Sequence, residues 1–143
     1  MIGALLRAPW EEARRRMLAH LHEQGFTDLD MPHLTVLLYP GPQGTRPTEL
    51  AARLGVTKQA LNYLLKELER LGYIARLPDA DDRRARRIAL TSRGRALGTA
   101  IREAVAEVER DWEAELGAAR FARLRDLLVE LNRVVRPDAV ASP

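Results

Sequence analysis

Cysteine is absent from the 143 residues, and that one absence closes several routes. It excludes disulfides, thiolate metal sites and thiol-based redox sensing. Aromatic residues are scarce at 5%, and histidine occurs only as His20, His22 and His33. No serine sits in a nucleophile-elbow context, and no glycine-rich phosphate loop follows a strand; Gly41 and Gly44 lie between prolines and a helix start. With no catalytic constellation, the chain reads as a non-enzyme that needs no cofactor. Long apolar runs are missing as well. Leu34-Thr-Val-Leu-Leu-Tyr39 falls far short of the ~20 residues needed to cross a bilayer. Met1-Ile-Gly-Ala-Leu-Leu-Arg7 lacks the basic start and long apolar middle of a signal peptide. The expectation is a soluble, cytoplasmic protein without a membrane partner.

Apolar residues make up 46% of the chain, enough for one domain with a real core. The net charge is only +3, but it is unevenly spread. Arg46 to Arg95 holds 12 Lys/Arg against 6 Asp/Glu, a balance of +6, which leaves −3 for the rest. A segment that neutralises phosphates needs such a surplus.

Within that segment, Glu49-Leu-Ala-Ala-Arg-Leu-Gly55-Val-Thr57 reads as a helix, with Leu50, Ala51 and Leu54 on one face, ended at Gly55. Gly55 enters the left-handed conformation without a Cβ penalty. Thr57 suits the N-cap of a second helix running to Leu71, which is expected to bury Ala60, Leu61, Leu64, Leu65, Leu68 and Leu71. Gln59, Asn62, Tyr63 and Lys66 then share its outer face. Amides bond adenine edges, tyrosine meets sugar, phosphate or a thymine methyl, and lysine neutralises phosphate. The arrangement is that of a helix-turn-helix, although a plain helical hairpin with a solvated face has the same pattern. Tyr73–Leu77 and Arg86–Leu90 alternate as short strands around a polar turn from Pro78 to Ala85. A hairpin directly after a recognition helix is a wing, whose arginines Arg83, Arg84 and Arg86 are suited to a minor groove.

Glu49-Leu-Ala-Ala-Arg-Leu-Gly-Val-Thr-Lys-Gln-Ala, Leu68-Glu-Arg-Leu-Gly-Tyr-Ile, Asp79-x-x-Asp82-x-Arg84 and Leu90-Thr91-x-x-Gly94 together resemble the MarR family of bacterial winged-helix regulators. The resemblance spans roughly residues 5 to 136 in layout. It implies a mainly α fold with a small β-hairpin wing: a winged helix-turn-helix domain plus a helical dimerisation region. Residues 1–143 then form a single MarR-like domain, with the winged helix-turn-helix at about 30–91 and dimerisation helices at about 4–24 and 92–136. It implies a homodimeric repressor on double-stranded DNA with a palindromic operator, released by a small aromatic or amphipathic effector. DNA contacts carry over to Thr57, Lys58, Gln59, Asn62, Tyr63 and Lys66 of the recognition helix and to Arg83, Arg84 and Arg86 of the wing. Many members have Arg three places before the wing-tip Arg, where this chain has Asp81; that particular anchoring ion pair is not expected here. The cysteine-based peroxide sensing of one branch is excluded.

Elsewhere, a first helix from Ala4 or Pro9 to Gln24 carries Leu6, Trp10, Ala13, Met17 and Leu21, and a short helix runs from Pro32 to Tyr39. Arg14-Arg15-Arg16 reads as a solvated face rather than a nucleic-acid patch. Thr45 reads as the cap of the next helix, with Pro47 in its first turn. Ser92 to Leu116 carries Leu97, Ile101, Val105, Val108, Trp112 and Leu116; after Gly117 the stripe resumes with Phe121, Leu124, Leu128, Leu131 and Val135, and a frayed tail follows Pro137. A seam of Trp10, Met17, His33, Leu37 and Tyr39 is the candidate ligand pocket, its alternative being plain core. Two other functions are weighed. One is an effector-independent or architectural DNA-binding protein. The other is a metal-responsive sensor, which His20 and His22 do not favour, since i, i+2 on a helix point about 200° apart; no metal ligand is assigned.

Overall fold

The computed structural model describes residues 1–37, 44–82 and 84–135. The element order is α1 (Ile2–Glu23), α2 (Met31–Leu37), α3 (Pro47–Leu54), α4 (Lys58–Arg70), β1 (Ile74–Pro78), β2 (Arg86–Leu90), α5 (Ser92–Leu116) and α6 (Ala118–Val135). The chain gathers into two compact units, His20–Ile101 and Met1–Ala19 together with the chain from Arg102 onward. Among the described residues no helix is long and apolar enough to cross a membrane.

In the His20–Ile101 unit, α4 packs against α2, α3 and β1, and α3 also meets β2. The local chemistry of the corner is as the sequence requires. Gly55 caps α3 at φ 65°, where its N–H and that of Val56 satisfy the carbonyls of Ala52 and Ala51. Thr57 caps α4, its hydroxyl accepting from Ala60 N–H at 3.1 Å. Leu61, Leu65 and Leu68 are buried, Leu64 and Leu71 half-buried. Ala60 is exposed, contrary to its place in the apolar count: it lies on the flank where the buried stripe meets the outer face.

β1 and β2 pair antiparallel from Ile74↔Leu90 to Pro78↔Arg86. β1 thus begins one residue later than the alternation suggests and ends on Pro78, a place where a missing N–H is tolerated. Thr45 is not a helix cap. It bridges Ile88, with Thr45 N–H to Ile88 O at 3.0 Å and Ile88 N–H to Thr45 O at 2.8 Å, while Arg46 takes the N-cap position without a side-chain bond. Beyond the hairpin, Thr91 caps α5: its hydroxyl accepts from Gly94 N–H at 3.1 Å and donates to Gly72 O at 2.6 Å. Gly94 is required here, since a Cβ would come within 2.1 Å of Tyr73 O.

In the other unit, Met17, Ala104 and Val108 are buried. Arg16 bonds Asp111 at 2.7 Å and Arg15 bonds Glu12 at 2.7 Å, so two of the three consecutive arginines are engaged by carboxylates on the helices. α1 continues through Pro9 and starts at Ile2. The apolar stripes are only partly covered. Leu6, Trp10, Val105 and Leu116 are exposed, and no residue of α6 is buried. The tail after Val135 lies outside the described residues.

Candidate nucleic-acid interface

α4 presents Lys58, Gln59, Asn62, Tyr63 and Lys66 to solvent, and the capping residue Thr57 is exposed beside them. No acidic residue occupies its first turn, so the free N–H groups and positive end of the helix dipole are unopposed by a carboxylate. The two carboxylates further along are both engaged. Glu67 meets His33 Nε2 at 3.0 Å, and Glu69 accepts from Arg76 Nε at 3.1 Å. The outer face is therefore amide, phenol and cation, which is donor-rich and positively charged. Along it runs a shallow open hollow of about 470 Å³ lined by Thr57, Gln59, Ala60, Tyr63 and Leu64.

The hairpin is held by a residue that the sequence motif contained but to which no role was given. Asp79 is buried, and its Oδ2 accepts from Arg46 Nε at 2.7 Å and Arg87 Nε at 3.1 Å. Its Oδ1 accepts from Asp81 N–H at 2.9 Å. The Arg46 bond above all, with that backbone bond, holds the carboxyl well below the usual carboxylate range. Arg87 also donates to Gly44 O at 3.2 Å. The wing therefore does have ionic anchoring, built from Asp79 instead of from position 81. A signal existed: Asp79 opens the Asp-rich turn directly after a strand-ending proline. Its partners, far apart in sequence, gave none. Arg84 is exposed at the turn, its N–H donating to Asp82 Oδ1 at 2.9 Å, and Arg86 is exposed at the start of β2. Arg83 lies outside the described residues.

This geometry has known counterparts. Residues 24–85 match the MarR family model. The HTH-type transcriptional regulator FarR of Neisseria gonorrhoeae is 34% identical over 86 residues, covering 60% of this chain and 59% of that protein. CouR from Rhodococcus jostii RHA1 bound to p-coumaroyl-CoA superposes with a TM-score of 0.73 at 25% identity, covering 95% of this chain and 92% of that one. The transcriptional repressor CouR bound to a 23-mer DNA duplex gives 0.72 at 25% identity, with 93% of each chain covered.

The winged part of the chain is similar to the MarR family. The chain spans less than two thirds of the length of the curated relatives it matches. Its winged helix is the MarR-family fold, and the relatives are named as regulators rather than enzymes.

Two further clusters escaped the sequence reading. His33, buried in α2, accepts from Asp30 N–H through Nδ1 at 3.1 Å, so its Nε2 carries the proton given to Glu67. It acts as the back-bonding residue of a capping box. Tyr73, fully buried, donates to Asp28 Oδ1 at 2.6 Å, and Arg93 lies 4.3 Å over its ring while bonding Asp28 Oδ2 at 2.9 Å and Leu71 O at 2.6 Å. Burial and then the Asp28 bond push the phenol well above its ordinary range. Asp28 stays low because the Tyr73 and Arg93 contacts outweigh its burial. Of the candidate pocket residues, His33 and Leu37 are buried in the His20–Ile101 unit, His33 with both ring nitrogens in use. Trp10 (exposed) and Met17 (buried) belong to the other unit, and Tyr39 lies outside the described residues. Among the described residues no group of three or more His, Asp or Glu side chains is placed to hold a metal ion.

Proposed function

We propose that this protein is a sequence-specific double-stranded DNA-binding transcriptional regulator, a homodimeric repressor of a palindromic operator that a small aromatic or amphipathic ligand releases. One observation carries the DNA-binding part: α4 displays Gln59, Asn62, Tyr63 and Lys66 on one exposed face while Glu67 and Glu69 are tied elsewhere. Amide and cationic groups at a helix start are what a major-groove reader needs, and a carboxylate among them would repel phosphate. The exposed arginines of the hairpin suit the adjoining minor groove.

Dimerisation is supported by the apolar side chains left uncovered on the helices outside the winged unit. Leu5, Trp10, Val105, Leu127 and Val134 are each more than 40% exposed, and a single soluble chain rarely keeps so much apolar surface in water. The ligand class is supported by the p-coumaroyl-CoA named with CouR. The test is selection of bound fragments from genomic DNA by the full-length protein, with sedimentation of the same sample. The expected result is a palindrome with half-sites about 10 bp apart and a dimer at micromolar concentration. No enriched sequence would defeat the DNA-binding reading, and a monomer would defeat the dimer. Phenolic acids and their thioesters that neither stabilise the protein nor release it from the selected DNA would retire the effector.

A further inference from the structure

On α4 each amide of the exposed face is followed directly by an apolar or aromatic neighbour: Gln59 by Ala60, and Asn62 by Tyr63. Consecutive residues lie about 100° apart around a helix, so the amides form one edge of the face and Ala60 and Tyr63 the next. Ala60 is exposed although it lies next to the buried stripe, and Tyr63 is 64% exposed. Between them, with Thr57, Leu64 and the adjoining Gln59, lies the open hollow, its walls mostly carbon. A major-groove reader made only of hydrogen-bonding groups has no use for such a flank.

We infer that this flank reads thymine 5-methyl groups, each beside an adenine edge bonded by Gln59 or Asn62. The inference rests on the DNA-binding reading and adds to it the bases read. An A·T pair shows, across the major groove, an acceptor and a donor on adenine, then an acceptor and a methyl on thymine. A side-chain amide satisfies the adenine pair of groups. The methyl at the far side gains only from an apolar surface, and the residue next round the helix supplies one. The two pairs are three residues apart, a rise of about 4.5 Å, near the ~3.4 Å step between bases of one strand. Gln59–Ala60 and Asn62–Tyr63 therefore meet neighbouring A·T pairs in each half-site. Ala60, with a single methyl, permits close approach of the helix start to the groove floor, and Tyr63 covers the methyl further along. Lys58 and Lys66, exposed on the same helix, attract phosphates and so favour nucleic acid over an apolar protein partner at this surface.

The test uses the full-length wild-type protein and the duplex it selects from random DNA. Each thymine is replaced in turn by deoxyuridine, which removes the methyl and nothing else, and affinity is measured by anisotropy at fixed salt. Two positions per half-site should each weaken binding about fourfold, the loss of one buried methyl, and the other positions should change little. In Tyr63→Ala the thymine-to-uracil ratio should fall to one at one of those positions, and in Ala60→Ser it should shrink at the other. Lys66→Ala should weaken thymine and uracil duplexes alike, leaving the ratio intact. Uracil tolerated throughout a well-defined operator would overturn the methyl reading and leave the DNA-binding reading standing. Sensitivity that survives unchanged in both flank variants would also overturn it, since the methyls would then be sensed elsewhere. Failure to select any sequence would overturn both.

Discussion

Gln59 and Lys66 stand two helical turns apart on the exposed side of α4, yet different chemistry falls to them. Gln59→Ala or Asn62→Ala is expected to cost ~1–3 kcal/mol on the preferred operator and to relax preference at one position per half-site. Lys66→Ala should weaken all sequences alike and lower the salt slope by about one; titrations at several salt concentrations separate the two. Arg84→Ala should cost most where the flank is A·T-rich, because a narrow minor groove strengthens its attraction. Acid and base report on other residues. Asp79 and Asp28 are both held below their ordinary value of 3.8, so near that pH the unfolded chain binds more protons than the folded one. Their contribution to stability is complete above that range and is lost as pH falls below 3.8 through the lower folded values. Tyr73 is raised above its ordinary 10.0, so its contribution is present below pH 10 and fades as pH climbs toward the folded value. Denaturation curves across pH should therefore lose part of their acid-side slope in Asp79→Asn and part of their alkaline slope in Tyr73→Phe.

At the scale of elements, the joints decide. Thr57→Ala removes the α4 cap and should cost about 1 kcal/mol. Gly94→Ala is expected to be worse, about 1–3 kcal/mol, because the added Cβ meets the backbone carbonyl of Tyr73, which cannot turn aside; thermal unfolding checks both. These joints also show which parts of the fold are legible in the sequence. Gly55, Thr57 and the hairpin were readable because each acts on its own next few residues. Thr45 was misread because its partner, Ile88, is remote, and nothing nearby distinguishes a strand-like threonine from a cap. Ala60 was misplaced because a small residue at the edge of an apolar stripe satisfies the helical period whether covered or not. The exposed face of α4 was legible from spacing alone. The groups that shape it were hidden: the carboxylates leave that face through His33 and Arg76, and the hairpin is gripped by Asp79, all pairings set by tertiary structure.

For the molecule as a whole, the helices outside the winged unit carry the question of assembly. α6 buries none of its side chains within the chain, although Leu124, Leu127 and Leu131 recur along it. A chain ending at Gly117 should lose dimerisation and specific DNA binding together, and the apolar sides of α1 and α5 then invite aggregation. Sedimentation and anisotropy on the truncated and full-length proteins measure this directly; a truncated chain that still bound its operator as a dimer would remove α6 from the interface. The surplus of +6 between Arg46 and Arg95 against −3 elsewhere adds an expectation of steep loss of affinity with salt for any sequence.

The bridge between Thr45 and Ile88 bears on the outer edge of the wing. A lone two-stranded hairpin is marginal in water, and its outer edge offers unpaired N–H and C=O groups to any passing chain. Thr45 occupies that edge at Ile88 from within the same molecule. That position of the edge is already paired, so a neighbouring chain would have to displace Thr45 to add a strand at Ile88.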